Sequence, residues 1–237
     1  MKLKKLIIIS LILVFSMTFW GQALAKKEES NNRAGYEKIE NVGYTVYTTS
    51  DEKLIEKTYK DIVEKGNNKK ADVNGTAINY TTMDSEWLWF QYSSWFNYSG
   101  GQMGDIARVQ LHHVAPWYLY QEDFSAYGEV EALWYKGTST INPSKIKIQP
   151  NQKITATEQV LEVSYPPGMT PTTNNTSTTF SWPSDTQYTT DFIYDWDQWS
   201  VKIDSGDFTD YLTSDYATFT FPGYTKGLLN QVAVTID

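Results

Sequence analysis

The stretch EWLWFQYSSWFNY, residues 86–98, constrains this chain more than any other. Trp87, Trp89, Phe90, Tyr92, Trp95, Phe96 and Tyr98 all fall within it. Read at period two, Trp87, Trp89 and Trp95 share one face, while Leu88, Phe90, Tyr92, Phe96 and Tyr98 share the other. Only a strand points successive side chains to opposite sides. A strand apolar on both faces needs cover on both, or one of its faces holds a ligand.

The beginning of the chain reads as a secretory signal peptide. Lys2, Lys4 and Lys5 form a basic start, residues 6–20 an apolar core, and Ala23-Leu24-Ala25 a small-x-small cleavage site. The expectation is a secreted protein cleaved after Ala25. An apolar run of about 15 residues is short of the ~20 that span a bilayer, so no integral membrane span is expected in the mature chain. The sequence has no Cys, which rules out a lipid-anchored cysteine, a disulfide, a thiolate nucleophile and Cys-ligated zinc. Export without cysteines fits a Gram-positive-type bacterial cell. Residues 26–35 read as a flexible polar leader, and residues 36–237 as one domain held by its core alone.

Charge narrows the partners. The full chain has 20 basic and 28 acidic residues. Residues 71–237 hold 7 basic against 19 acidic. Such a surface repels phosphate, so no nucleic-acid partner is expected. Anionic polymers and lipids are disfavoured unless a divalent cation bridges. A neutral glycan or a cell-surface or matrix protein remains open.

One helix is expected, over residues 51–65. Thr49-Ser50-Asp51-Glu52 matches a capping box, and Leu54, Ile55, Thr58, Tyr59, Ile62 and Val63 form an apolar stripe that ends at Gly66. Elsewhere the pattern is of strands. They read as residues 42–48, 73–82 (with a bulge at Gly75), 86–98, 106–115, 129–135, 145–148, 154–156, 160–165, 191–203, 217–221 and 231–236. Ser99-Gly100-Gly101 breaks two of them. In residues 191–203 the apolar parity slips between Trp196 and Trp199, the mark of a bulge. Residues 170–190 are rich in Ser and Thr and read as a long loop or an exposed hairpin. The fold class is all-β: a mainly antiparallel β-sandwich, jelly-roll or Ig-like, with one amphipathic helix near its N-terminus.

The sequence has nine Trp, and most must be core; Trp89, Trp134 and Trp196 are assigned there. An exposed aromatic row is nevertheless how a sheet stacks a sugar ring, with nearby amides and hydroxyls bonding its hydroxyl groups. Trp95, Asn97, Tyr98, Trp117, Tyr118, Tyr120 and Trp199 combine these residue types near strand ends and are the ligand-binding candidates. Glu129 and Glu131 lie on one strand face about 6.7 Å apart, within the range of a glycosidase acid pair, and are the catalytic candidates. No cofactor is expected, although calcium is possible at Asp195, Asp197, Asp204, Asp207 and Asp210 within an acidic run from Asp185 to Asp215. His112 and His113 are adjacent and face opposite ways, so they cannot grip one metal together; His113 shares parity with Val109 and Leu111 and reads as a hydrogen-bonded core residue. The leading reading is a secreted, non-catalytic binding protein. A membrane-active toxin, with residues 170–190 as the inserting hairpin, and a small jelly-roll glycoside hydrolase are the alternatives.

Overall fold

A computed structural model describes residues 33–64, 68–70, 74–115, 121–204 and 206–237. Residues 37–237 form the compact unit. Of the separate unit 1–36, the described part is a turn in which the Tyr36 N–H donates to the Arg33 carbonyl (3.1 Å). Among the described residues no helix is long and apolar enough to cross a membrane. The signal-peptide assignment and all of the leader except residues 33–35 fall outside the described residues.

The chain runs β1 (Glu37–Glu40), β2 (Tyr44–Thr49), α1 (Glu52–Glu64), β3 (Asn68–Lys70), β4 (Thr76–Met83), β5 (Trp87–Tyr98), β6 (Gly101–Val114) and β7 (Gln121–Tyr135). It continues through β8 (Lys145–Ala156), β9 (Val160–Ser164), β10 (Thr170–Asn174), β11 (Ser177–Ser181), β12 (Asp185–Gln187), β13 (Asp191–Asp204), β14 (Phe208–Phe221) and β15 (Tyr224–Ile236). Two sheets result. Sheet I has the order β1-β2-β13-β7-β6-β5-β3, with β9 also on β13; sheet II has the order β10-β11-β8-β14-β15-β4, with β12 also on β8. All pairs are antiparallel except β3 with β5 and β4 with β15. The expected sandwich is present.

Tight turns join the long strands. Ser99 and Gly100 both take positive φ (48° and 84°), the conformation that closes a two-residue hairpin along the natural strand twist. The register between β13 and β7 shifts between Trp196 and Trp199, where the parity slip placed a bulge. Residues 145–156 form a single strand rather than two. Pro150 is tolerated in its middle because β12 pairs with Ile146–Ile148 and β11 with Asn151–Thr155, so the missing N–H falls in the gap between them. Residues 170–190 are not one long loop: β10 and β11 form a short antiparallel hairpin closed at residues 175–176, the hairpin of the two readings, with β10 mostly exposed. The segment supplies β10, β11 and β12, of five, five and three residues, well below the ~9–11 that cross a bilayer, and Phe180 and Trp182 are buried in the core.

The helix begins two residues later than the capping box implies. Asp51 is its cap: its Oδ1 accepts from the N–H groups of Lys53 (2.9 Å) and Leu54 (3.3 Å). Thr49 instead accepts from the Asp51 N–H through its hydroxyl (3.2 Å). Gly66 lies outside the described residues.

The core between the sheets holds Phe90, Phe124, Trp134, Phe192, Trp196, Trp199, Phe208, Tyr211 and Phe219 among its largest side chains. Trp134 and Trp196 are core residues, as read from the sequence. A polar group sits inside this apolar layer. Asp105 on β6 and Asp215 on β14 are fully buried, with Asn230 and Thr213 beside them. Asn230 crosses between the sheets: its amide donates to the Asp105 carbonyl (3.3 Å) and accepts from the Asn79 amide (3.1 Å). Burial first, and then repulsion from Asp215, pushes the Asp105 carboxyl well above the ordinary carboxylate range, with the Ala217 N–H opposing. Burial likewise raises Asp215, opposed by the Thr213 hydroxyl.

A carboxyl raised in the folded state holds a proton that the unfolded chain releases above about pH 3.9. Its contribution to stability is therefore complete below that pH and is lost as pH rises through the folded value. Urea denaturation from pH 4 upward should show this loss in the wild type and a flatter profile in Asp215→Asn. Parallel profiles in the two proteins would mean that the pair is not protonated in the fold.

Candidate functional site

Sheet I has two faces, and its inner one packs against sheet II around the core. The outer face is divided along its strands. At one end α1 lies on it, burying Ile55 and Ile62 against Trp95, Ile106 and Leu133. Tyr59 completes this layer, stacked on Tyr135 (centroids 3.9 Å apart) and edge-on to Trp95 (5.2 Å). Trp95 has Gly104 as its cross-strand partner, and a Cβ there would stand 2.4 Å from the indole. The missing side chain leaves the space into which the Trp95 ring folds. Its Nε1 donates to the Ser93 hydroxyl (3.0 Å).

At the other end nothing among the described residues covers the face. Trp89 is 58% exposed and Trp87 37%. Trp87 stacks on His112 (3.7 Å between centroids, planes 17° apart), and His112 Nε2 lies 3.0 Å from Glu86. Register places Trp89 beside Gln110, and Gln110 beside Tyr127; the Tyr127 hydroxyl donates to the Gln110 side-chain oxygen. Opposite Tyr127 stands the β13 bulge, Asp197 and Gln198, both exposed. The uncovered half thus presents two indoles at one margin and a row of amide, phenol and carboxylate groups leading away from them.

Arg108 borders this row. It donates from Nε to Gln91 (2.9 Å), and its two terminal nitrogens lie 2.8 Å from Glu129 and 2.6 Å from Glu131. Burial works against its charge, but attraction to Glu131 and Glu129 outweighs that and raises its pKa further. One guanidinium therefore grips both catalytic candidates, and Glu131 is closed off from solvent. A glycosidase pair must flank the scissile bond from two sides. Two acids on one strand, tied to one arginine, form a structural ion triad instead.

The remaining candidates are dispersed. Trp95, at 7% exposure, is sealed beneath the helix, and Trp199, at 1%, stacks on Phe180 within the core (4.0 Å). Neither can meet a ligand. Tyr98 faces inward, stacked on Tyr224 (4.3 Å), while Asn97 is exposed. Trp117, Tyr118 and Tyr120 fall outside the described residues. Asp195 is buried on the outer face of sheet I; Asp197, Asp204, Asp207 and Asp210 are exposed on β13, β14 and the segment between them. Among the described residues no three His, Asp or Glu side chains come together as a metal ion would require. His113 meets Glu122 (2.9 Å) and packs edge-on to Phe208.

The aromatic platform is thus Trp87 and Trp89, on the strand and face picked out from the sequence, with the roles of Trp89 and Trp95 exchanged. Parity alone put all three indoles on one face. Which of them lies under the helix depends on a segment some 40 residues earlier.

No family model matches the sequence, and no curated protein matches it. Among solved structures it is similar to the collagen-binding domain of a Staphylococcus aureus adhesin, with 13% identity over 53% of this chain and 95% of that one, at a TM-score of 0.21. It is also similar to AggA, the major subunit of aggregative adherence fimbriae type I from Escherichia coli, with 9% identity over 56% of this chain and 95% of that one, at a TM-score of 0.26. The collagen-binding subdomain of the Enterococcus faecalis surface protein ACE gives 6% identity over 49% and 88%, at 0.22. Likeness at this level carries no weight for function, which rests on the geometry of the face itself.

The division of the face has a measurable consequence. Trp95→Ala should destabilise the fold by ~3–5 kcal/mol, as large-to-small changes of buried aromatics do, whereas Trp89→Ala should cost less than about 1 kcal/mol. Arg108→Ala, which strands Glu131 as a buried charge, should cost ~3–5 kcal/mol. Urea denaturation of the three variants checks the order.

Proposed function

We propose that this chain is an exported, non-catalytic binding protein that takes a neutral glycan on the uncovered half of sheet I. The observation that carries this reading is the exposure of Trp87 and Trp89 on one face, two positions apart on β5. Exposing two indoles in water is unfavourable, at about 25 cal/mol per Å² of apolar surface, so a pair left uncovered beside a helix that covers their neighbour points to a ligand. The apolar face of a pyranose meets the indole ring, and Gln110, Tyr127 and the bulge residues Asp197 and Gln198 supply donors and acceptors for its hydroxyls. Export rests on the basic-apolar-small pattern of residues 1–25.

The same platform supports a second reading. Trp, Tyr and Arg are the residue types that dominate protein–protein contacts, and a surface or matrix protein could seat on Trp87 and Trp89 equally well.

The test is co-sedimentation of residues 26–237 with insoluble neutral polysaccharides, and in parallel with immobilised matrix proteins. Trp89→Ala and Trp87→Ala should each weaken polysaccharide binding at least tenfold, about 1.4 kcal/mol, with the melting temperature retained. Loss of matrix-protein binding alone would favour the second reading. A wild-type protein that binds neither, or variants that bind as the wild type does, would sink the platform.

A further inference from the structure

The outer face of sheet II lies on the other side of the molecule from the aromatic platform and has the opposite charge character. On β8 the buried residues Ile146, Ile148, Pro150, Gln152, Ile154 and Ala156 face the core, so Lys145, Lys147 and Lys153 point outward, and all three are exposed. Only seven basic residues follow residue 70, and three of them stand on this one strand face. None of the three is within ion-pair distance of a carboxylate among the described residues, whereas Arg108, Lys136 and Lys202 each have acidic partners. Their cross-strand neighbours are neutral: Thr220, Thr218 and Leu212 on β14, Thr186 on β12 and Thr179 on β11. The acid sharing this face is Asp210, beside Thr155 at its far end.

A ring lies among these lysines. Tyr216 on β14 is 46% exposed. A Cβ on Gly227 would stand 2.0 Å from its hydroxyl and 2.4 Å from the adjoining ring carbon, so the phenol lies flat across the glycine with its other side to solvent. Gly227 pairs with Thr218, and Thr218 with Lys147. At ~4.8 Å per strand, the Lys147 backbone is about 10 Å from Gly227, within reach of a lysine side chain and one sugar ring. Gln149 flanks Tyr216 directly.

We infer that the outer face of sheet II binds an anionic saccharide, with a sugar ring on Tyr216 and its sulfate or carboxylate groups at Lys145, Lys147 and Lys153. The acidity of the whole chain does not prevent this. Packed sheets stand ~10 Å apart, and charges beyond the ~8 Å Debye length of physiological salt are largely screened. The local lysines therefore set the field that a ligand on this face meets. The site is independent of the platform on sheet I, with which it shares no residue.

The test uses residues 26–237 with heparin as the sulfated probe, polygalacturonate as the carboxylated probe, dextran as the neutral one and polyphosphate as a polyanion without rings. Binding to heparin or polygalacturonate that weakens as salt rises, with no binding to dextran by the Trp89→Ala variant, is the expected result. Which of the two probes is preferred identifies the anion. The triple variant Lys145→Gln, Lys147→Gln, Lys153→Gln should lose at least tenfold in affinity, Tyr216→Ala several-fold, and Trp89→Ala nothing. These lysines are exposed, so the triple variant should keep the wild-type melting temperature. Failure of both anionic saccharides to bind, or equal binding by the triple variant, would overturn the site. Polyphosphate binding as tight as heparin, unaffected by Tyr216→Ala, would overturn the saccharide assignment.

Discussion

A strand that is apolar on both faces has to be covered twice, and this fold has only one helix among its described residues with which to do so. The inner face of β5 is met by sheet II. The outer face is met by α1, whose 13 residues make a rod about 20 Å long and ~10 Å wide. The 12 residues of β5 extend about 40 Å, and β6, β7 and β13 on one side of it have 14, 15 and 14 residues. A rod of that size cannot cover such a face. The covered half becomes a second small core around Trp95, with Gly104 giving the indole its room. The uncovered half keeps Trp87 and Trp89 in solvent. The candidate site thus follows from a mismatch of dimensions between one helix and one sheet.

The inner layer carries a different constraint. Two buried carboxyls on opposing sheets cost free energy unless they are protonated or bonded, and among the described residues no basic side chain forms an ion pair with them. They are surrounded by Asn230, Asn79 and Thr213, which link β4, β14, β15 and the backbone of β6. Long strands of similar pattern could slide against one another by two residues and keep every apolar side chain inward. A polar cluster that is bonded in only one register opposes such slippage. The stability given up there is exchanged for a single arrangement of the sheets, and so for a fixed disposition of the outer faces.

Those outer faces show how charge can mislead when it is summed. On sheet I the one arginine is enclosed by Glu129 and Glu131. On sheet II three lysines have no carboxylate within ion-pair distance among the described residues. The net value for the chain describes neither face, because salt screens each from the other.

Strand identity was legible in the sequence wherever alternation was strong, as in β5, β6 and β13, including the bulge between Trp196 and Trp199. The break expected at Pro150 was not real, because whether a missing N–H matters depends on which strand stands beside it. Asp105 carried a signal that could have been used: it shares parity with Met103, Ala107 and Val109, and so belongs inside. Asp215, which closes the acidic run from Asp185, lies in the core, since composition says nothing about which face a residue occupies. What the sequence determined by itself was the all-β class, the two-faced strand and the face on which Trp87, Trp89 and Trp95 stand, because a strand's period of two is a local property of the backbone. What only the tertiary structure decided was which of those indoles meets water, because that depends on where a helix from a distant part of the chain comes to rest and how far it reaches.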